Sequence, residues 1–184
     1  MFLTGDNNFR YNIFAEYKSH RAPSPRHREK VKEYVARNWN ATVSDGCEAD
    51  DLLGVAQCTA DINTTCICSI DKDLNCIPGE HYHPGIKRKQ VWIKEPHFYS
   101  VSEIEALRFF YTQMLTGDAT DGVKGVKGIG PKGAEKMLKA CSSEQEMFNV
   151  VRDAYSCDEE MLMNGKCLWI WRKMNGTWEF PFTE

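Results

Sequence analysis

The most informative stretch of this chain reads LTGDATDGVKGVKGIGPKGAEKML and runs from Leu115 to Leu138. It joins a pair of carboxylates, Asp118 and Asp121, to closely spaced glycines and to a lysine-bearing helix start. Paired carboxylates favour a metal ion, and a glycine-rich turn that leads into a helix favours phosphate. The combination predicts chemistry on a nucleic-acid backbone.

The glycines and the proline of this stretch predict a tight hairpin followed by a helix. Gly125, Gly128 and Gly130 permit positive φ and close approach of the backbone to a ligand. Pro131 suits the first position of a helix that extends to about residue 140, and the free amides of that helix would face the turn. The alternative is a plain helical hairpin, but the flanking lysines favour phosphate binding: Lys127, Lys132 and Lys136.

Composition predicts one ordinary domain with a real core. The chain has 184 residues, of which 42% are hydrophobic and 11% aromatic. The net charge of −3 is unusual for a nucleic-acid binder. The charges are segregated, however, because acidic residues cluster downstream and basic residues crowd the first quarter: Lys18, Arg21, Arg26, Arg28, Lys30, Lys32 and Arg37.

The cysteines and the lack of a targeting pattern predict a cytoplasmic protein. The sequence has no signal-peptide pattern and no apolar run long enough to span a membrane. We therefore expect the 8 cysteines to be reduced thiols, with Cys66 and Cys68 packing in the core. Cys76, His81 and His83 match no common zinc spacing, so a structural zinc site is not expected.

Strand and helix patterns alternate along the chain, which predicts an α/β fold with a helical appendage. The segment 12–21 is loop-like, and the Asn175-Gly176 pair predicts a β-hairpin between 168–172 and 177–182. The predicted strands are 2–4, 42–43, 65–70 and 90–94, and the predicted helices are 26–38, 50–60, 102–115 (with Ser102 as its cap) and 144–155.

Acidic residues recur where a metal site would need them. Oxygen-rich sites select Mg²⁺, with Mn²⁺ as a usual substitute, and two such ions can activate water and stabilise the leaving oxygen of a phosphodiester. Each cluster alone is better explained by helix capping or loop chemistry, but their joint occurrence favours metal. The candidate ligands are Asp6, Glu48, Asp50, Asp51, Asp71, Asp73, Asp118 and Asp121.

Lys18, Arg21 and the basic helix after them have two interpretations. They could hold the scissile phosphate and the strand around it, or they could form a solvated basic face. The acidic clusters favour the first.

In these motifs the chain resembles the 5′ nuclease superfamily, especially phage-type 5′–3′ exonucleases and flap endonucleases, together with the 5′-nuclease domain of bacterial DNA polymerase I. The resemblance covers residues 1 to about 140. The matching motifs, in order, are Asp6 with Phe9-Arg10, Tyr17-Lys18-Ser19-His20-Arg21, Glu48-Ala49-Asp50-Asp51, Ser69-Ile70-Asp71-Lys72-Asp73-Leu74, and Gly117-Asp118 through Gly130-Pro131-Lys132.

The resemblance implies a PIN-like or Rossmann-like, mostly parallel sheet flanked by helices. Residues 1–100 would form the nuclease α/β domain, including a helical arch over about 18–38. Residues 101–184 would form a helix-three-turn-helix region with the C-terminal β-hairpin.

The resemblance also implies the roles of single residues. Lys18 and Arg21 would be catalytic at the base of the arch, and two Mg²⁺ ions would lie among the carboxylates. Glu48, Asp50 and Asp71 would hold the first ion with Asp51 and Asp6 close by, and the second would be held by Asp73, Asp118 and Asp121. DNA would contact Lys124, Gly125, Lys127, Gly128, Gly130, Lys132 and Lys136, and K⁺ would bind the backbone of Leu115, Thr116, Lys124, Val126 and Ile129.

One feature departs from the family. Its members begin with a strand that carries another metal-binding aspartate, well upstream of the position of Asp6, and this sequence starts at Met1. We expect a fragment, the product of a split gene, or a protein whose start has been assigned too late.

The expected function is a Mg²⁺-dependent 5′–3′ exonuclease or flap endonuclease in DNA replication or repair. It would act on DNA 5′ ends, flaps or nicks and on RNA–DNA hybrids, as a monomer, without membrane contact and alongside replication proteins. The resemblance implies the cytoplasm of a bacterial or phage-infected cell. The first alternative is a catalytically degenerate DNA-binding protein or fragment. The second is a small metal-dependent RNase of the PIN type, against which the glycine hairpin argues.

Overall fold

The computed structural model describes residues 1–61 and 64–182, and the predicted domains also run through 62–63 and 183–184, which lie outside the described residues. The helices are α1 (Arg10–Ile13), α2 (Arg28–Asn38), α3 (Ala49–Thr59), α4 (Glu103–Thr116), α5 (Pro131–Leu138), α6 (Glu144–Ala154) and α7 (Asp158–Leu168). A 3₁₀ helix covers Lys72–Cys76. The strands are β1 (Phe2–Leu3), β2 (Thr42–Val43), β3 (Cys66–Cys68), β4 (Gly79–His83), β5 (Ile86–Arg88), β6 (Val91–Lys94), β7 (His97–Val101), β8 (Gly117–Asp118) and β9 (Val123–Lys124).

Helix α4 forms the centre of the molecule. Its start is fixed by a capping box, because the Ser102 hydroxyl accepts from the Glu105 amide and the Glu105 carboxylate accepts from the Ser102 amide. Phe110, Tyr111 and Met114 are fully buried on it. Helices α5, α6 and α7 and the 3₁₀ helix all pack on this one element. The predicted helix 102–115 is therefore confirmed.

The α/β class is confirmed, but the expectation of one mostly parallel sheet is wrong. The described strands form small separate sheets, and only β1–β2 and β3–β4 pair in parallel. The pairs β4–β7, β5–β6 and β8–β9 are antiparallel. The antiparallel pairing of β4 with β7 has a local cause. Strands β5 and β6 form a hairpin that reverses the chain, and β7 then returns alongside β4.

Two further predictions about strands are wrong. Cys66 and Cys68 do not pack in the core, because the alternation of β3 buries Ile67 and exposes both cysteines. The Asn175-Gly176 turn does form, with the Gly176 amide donating to Lys173 O at 2.9 Å. The segments beside it form no strand ladder within 1–61 and 64–182, because Trp178 is buried in the core and the Trp171 amide bonds to Asp51.

The parallel pair β3–β4 positions the site. Cys68 pairs with Tyr82, so the loops that follow both strands leave from the same edge of the sheet. Asp71 and Asp73 lie on the first of these loops and on the 3₁₀ helix that it enters. None of the described helices combines the length and the apolar character that crossing a membrane requires.

Candidate metal and nucleic-acid site

One cavity gathers most of the acidic residues that the sequence singled out. It lies where the N-terminal end of α3, the loop after β3 and the turn after β8 meet. The cations Lys18 and Arg21 also line it. The carboxylates on its wall, together referred to as the carboxylate pocket, are Glu48, Asp50, Asp71, Asp73, Asp118 and Asp121.

Lys18 and Arg21 reach the pocket from the turn that follows α1. Lys18 adopts a positive φ of 58°, and its amide donates to Asp121 O at 2.9 Å. Its ammonium forms an ion pair with Glu48 and lies 3.5 Å from Asp121 Oδ2. The Arg21 guanidinium pairs with the other oxygen of Asp121. The two predicted catalytic cations thus neutralise two of the pocket's acids.

Tyr17 joins the same network. Its hydroxyl lies 2.7 Å from Asp121 Oδ2 and 3.2 Å from Glu48 Oε2, and it donates toward these carboxylates. Burial and the negative charge of Glu48 raise the pKa of Tyr17 far above its ordinary value, so the hydroxyl keeps its proton. Tyr17 therefore fixes the positions of two carboxylates.

Two pocket carboxylates, Asp50 and Asp73, have raised pKa values. Burial, followed by the charges of Asp71 and Glu48, raises the pKa of Asp50 to about 7. Burial and the charges of Asp71 and Asp118 raise the pKa of Asp73 to about 6, although Gln113 donates to Asp73 at 2.8 Å. Crowded carboxylates with raised pKa values are typical of sites that hold a cation.

Asp51 belongs to a different environment from its neighbour Asp50. It is fully buried, and Arg10 donates to both of its oxygens, at 2.7 and 2.8 Å. The amides of Glu48 and Trp171 also donate to it. With its oxygens already hydrogen-bonded and its side chain outside the pocket wall, Asp51 anchors the start of α3. The structure does not bring it to the site as a ligand.

Asp6 also lies away from the pocket. Its side chain is 90% exposed and pairs with Lys32 of α2 at 3.2 Å. The chain turns outward after β1, which directs this carboxylate toward α2. The prediction that Asp6 joins the other ligands is therefore not met in this arrangement.

The pocket fits a divalent metal ion by the chemistry of its donors. Its wall offers six carboxylates, and hard oxygen ligands are those that Mg²⁺ and Mn²⁺ prefer. Within the described part of the chain, no three acidic, histidine or cysteine side chains converge as ligands of a single ion. Two of the six carboxylates, Glu48 and Asp121, are instead paired with Lys18 and Arg21.

The second half of the stretch between α4 and α5, residues 124–130, carries two exposed lysines and no acidic residue. Gly128 has a φ of +85°, and both Gly128 and Gly130 have open space beside them. Pro131 occupies the first turn of α5 as predicted. The lysines predicted to bind DNA are all exposed: Lys124, Lys127, Lys132 and Lys136.

The backbone atoms predicted to bind K⁺ are already partly engaged. Leu115 O accepts from the Val126 amide at 2.8 Å, and Val126 O accepts from the Ile129 amide at 3.1 Å. Lys124 O accepts from Asn164 at 2.7 Å. K⁺ binding at Leu115, Thr116, Lys124, Val126 and Ile129 remains a prediction, and so does the helix-three-turn-helix assignment.

The predicted arch contains one long helix. Within 18–38, α2 is helical, and its apolar residues Val31 and Tyr34 are 58% and 62% exposed. These two side chains of α2 therefore do not pack in the core, and the arch assignment stays a prediction.

Sequence reasoning did not assign roles to Arg10, Tyr17 or Gln113, which orient the carboxylates. It also missed the pocket wall formed by Cys167, Leu168 and Ile170. Arg10 holds this wall, because it donates to Cys167 O at 2.8 Å and to Trp169 O at 2.7 Å. The only signal in the sequence is the apolar character of the segment 168–172, and that pattern predicts a strand of the C-terminal hairpin.

Comparison with known proteins identifies the family of this chain. Residues 1–103 match the family model described as 5′-3′ exonuclease, N-terminal resolvase-like domain. The chain belongs to this family. Among curated relatives, it is 27% identical over 169 residues to a flap endonuclease Xni of Shewanella halifaxensis, covering 86% of the chain and 66% of the relative. It is 30% identical over 143 residues to a DNA polymerase I of Rhizobium leguminosarum, covering 71% of the chain and 14% of the relative.

Solved structures share the fold. T5 5′-exonuclease with divalent zinc ions bound superimposes with a TM-score of 0.59 at 16% identity, over 89% of this chain and 71% of that one. A complex of the bacteriophage T5 flap endonuclease with DNA and metal ions gives a TM-score of 0.59 at 15% identity, over the same shares of 89% and 71%. The membership of the 5′ nuclease superfamily is therefore confirmed, together with a mixed α/β fold.

Proposed function

We propose that this chain is the catalytic part of a metal-dependent 5′ nuclease that hydrolyses phosphodiester bonds in DNA. The observation that carries the proposal is the carboxylate pocket, in which six acidic and three cationic side chains line one cavity. The names of the relatives, flap endonuclease and DNA polymerase I, support the same class of substrate.

Two divalent ions, Mg²⁺ by preference, would occupy the pocket. Glu48, Asp50 and Asp71 would hold one, and Asp73, Asp118 and Asp121 the other. When bound, such ions supply an activated water and charge stabilisation at the leaving oxygen. Two of the similar structures contain bound metal ions, which supports divalent metals without identifying Mg²⁺.

The side chains of this protein have their own roles in the proposed reaction. Lys18 and Arg21 would exchange their carboxylate partners for the phosphate, because a guanidinium or ammonium stabilises the charge that develops on the phosphate oxygens. Tyr17 and Gln113 would keep Asp121 and Asp73 oriented.

The exposed lysines of the α4–α5 connection would hold the duplex part of the substrate. Phosphate contacts position a protein on DNA without reading its sequence. Residues 1–100 would thus supply most of the metal ligands, and residues 101–184 would bind the duplex. K⁺ would bind in the connection between α4 and α5.

The substrates would be 5′ ends, flaps and nicks, and also RNA–DNA hybrids, during replication or repair. The protein would act as a monomer in the cytoplasm, alongside replication proteins.

A second candidate is a DNA-binding protein without turnover. The lack of three converging ligands within the described residues favours it. It predicts salt-sensitive binding to branched DNA and no metal-dependent cleavage.

A substrate panel separates the two candidates. Flap DNA, nicked duplex, RNA–DNA hybrid and single-stranded RNA are each incubated with Mg²⁺ or with EDTA. The nuclease predicts Mg²⁺-dependent release of 5′ products from the flap or the nick. Binding of flap DNA without any cleavage would establish the second candidate, and cleavage of single-stranded RNA alone would contradict both.

A further inference from the structure

We propose that the β5–β6 hairpin, Ile86–Lys94, binds single-stranded nucleic acid beside the carboxylate pocket, with Trp92 as a stacking platform. This inference rests on the proposed function, because it extends the substrate path of the same site.

The hairpin is a concentrated patch of positive charge. Four basic residues lie within Ile86–Lys94, and this segment contains no acidic residue. In the described part of the chain, none of the four forms an ion pair with a carboxylate. They are Lys87, Arg88, Lys89 and Lys94, and all are exposed. Unpaired exposed cations complement the phosphate backbone.

The hairpin also presents apolar and aromatic surface to solvent. Trp92 is 43% exposed, Ile93 is 60% exposed, and Phe98 on the adjoining β7 is 73% exposed. The Lys87 ammonium lies 5.2 Å from the centre of the Trp92 ring. Interleaved aromatic and basic side chains are typical of surfaces that bind single strands, because bases stack on rings while cations follow the backbone.

Lys89 lies in the two-residue turn at the tip of the hairpin, in a backbone conformation that is unfavourable for a lysine. Lys89 and Gln90 have φ values of 45° and 68°, a geometry that favours glycine or asparagine in a two-residue hairpin turn. Neither residue contributes to the core, since both are exposed. A role of Lys89 in binding an anion outside the protein is consistent with this choice of residue.

The position of the hairpin connects it to the pocket. Strands β3 and β4 are parallel neighbours, and the Ser69 amide donates to Tyr82 O at 3.2 Å. Asp71 follows this point on one strand, and the hairpin follows it on the other. Because adjacent strands lie about 4.8 Å apart, the two loops leave the sheet side by side. A strand that leaves the pocket at this edge would meet the hairpin.

The exposed ring of Trp92 favours binding of a single strand over binding of a duplex. Stacking on Trp92 needs the open face of a base, which a duplex keeps inside its stack. The proposed ligand of the hairpin is therefore unpaired nucleic acid. Preferential binding of duplex DNA, of a protein partner or of a second copy of the chain would contradict the proposal.

The test measures fluorescence anisotropy of a labelled oligodeoxythymidine and of a blunt duplex, both in EDTA. Trp92→Ala is expected to weaken binding of the single strand by roughly five- to a hundredfold, the equivalent of one lost stacking contact, and to leave duplex affinity nearly unchanged. The double variant Arg88→Ala/Lys89→Ala should lower the slope of log affinity against log salt by about 1.4 for the single strand.

Lys173→Ala/Met174→Ala is the matched control, because it removes one exposed cation and one exposed apolar side chain from a turn elsewhere in the chain. It should leave single-strand affinity unchanged. Circular dichroism confirms the fold of each variant, and the charge variant tests the proposal independently if Trp92→Ala is misfolded.

Four results would overturn the proposal. These are unchanged affinity in both hairpin variants, an equal loss for duplex and single strand, an equal loss in the control, and conversion of a dimer into a monomer without loss of affinity. Since binding is measured in EDTA, absence of cleavage would refute the proposed function and leave this measurement intact.

Discussion

The carboxylate pocket and the lysine-bearing start of α5 differ in the sign of their charge and in their exposure to solvent. In the pocket, Lys18 and Arg21 pair with acids inside the fold. On α5, Lys132 and Lys136 face solvent and form no ion pair among the described residues. Charges held inside the fold define a geometry, whereas exposed charges supply attraction that varies with salt. Substitutions in the first region should therefore change chemistry or folding, and those in the second should change affinity.

The largest effect is expected from Asp71→Asn. Removing one carboxylate of the pocket should lower Mg²⁺-dependent cleavage of flap DNA by at least about a hundredfold, because even residues that only orient metal ligands contribute 10–100-fold. Binding of the same DNA in EDTA should change little. Asp153→Asn, an exposed position on α6, is the control and should cleave normally. Equal cleavage by Asp71→Asn and Asp153→Asn would refute the assignment.

Arg10→Met tests whether the pocket is held by the fold beneath it. Arg10 and Asp51 are 2% and 0% exposed, so the substitution leaves a buried charge without its partner. We expect a loss of about 3–5 kcal/mol in the free energy of unfolding, measured in urea. The double variant Arg10→Met/Asp51→Leu should lose less than the sum of the two single variants. Additive losses would show that the pair is not coupled.

The acids of the pocket predict an unusual pH dependence for the metal-free protein. The pKa of Asp50 is raised from 3.8 to about 7, and that of Asp73 from 3.8 to about 6. The unfolded chain binds fewer protons than the folded protein in this window, so stability should fall as pH rises from about 4 to about 7.

Thermal unfolding in EDTA measures this fall. Asp50→Asn should flatten the pH profile, and added Mg²⁺ should restore the stability of the parent at high pH. A profile that is identical in the parent and in Asp50→Asn would contradict the raised pKa of Asp50.

Asp6→Asn should affect cleavage less than Asp71→Asn, because Asp6 pairs with Lys32 outside the pocket. The measurement is the cleavage rate of the two variants under identical conditions. An equal loss would place Asp6 among the metal ligands, as the sequence suggested.

The smallest effects belong to the exposed lysines. Lys127→Ala, Lys132→Ala and Lys136→Ala should each weaken duplex binding uniformly across sequences and lower the salt slope by about 1. Lys139→Ala, just beyond α5, is the comparison position. Loss of cleavage at saturating DNA would show that these lysines do more than bind.

The sequence predicted those parts that depend on local signals. Ser102 and Glu105 indicated the start of α4, and Glu48-Ala49-Asp50-Asp51 indicated the start of α3. The pocket was predicted because Asp71 and Asp118 occur in recognisable motifs. Capping patterns and motifs do not show which acidic side chains face the cavity. Asp50 and Asp51 are neighbours, and only the tertiary contact with Arg10 assigns Asp51 to the interior.

The missed elements depend on contacts distant in sequence. Strands β4 and β7 are rich in histidine and aromatic residues that stack across the ladder, such as His81 on Tyr99 with ring centres 5.1 Å apart. The apolar run Leu168–Trp171 resembles a buried strand, but its backbone bonds to Arg10 and Asp51 instead. Local pattern contains no information about such partners.

Calorimetric titration with Mn²⁺ measures metal binding by the carboxylate pocket without any substrate. We expect saturable binding by the parent and by Asp153→Asn, and binding at least tenfold weaker in Asp71→Asn. Absence of binding in the parent, or equal affinity in all three proteins, would contradict the assignment of the carboxylate pocket as a metal site.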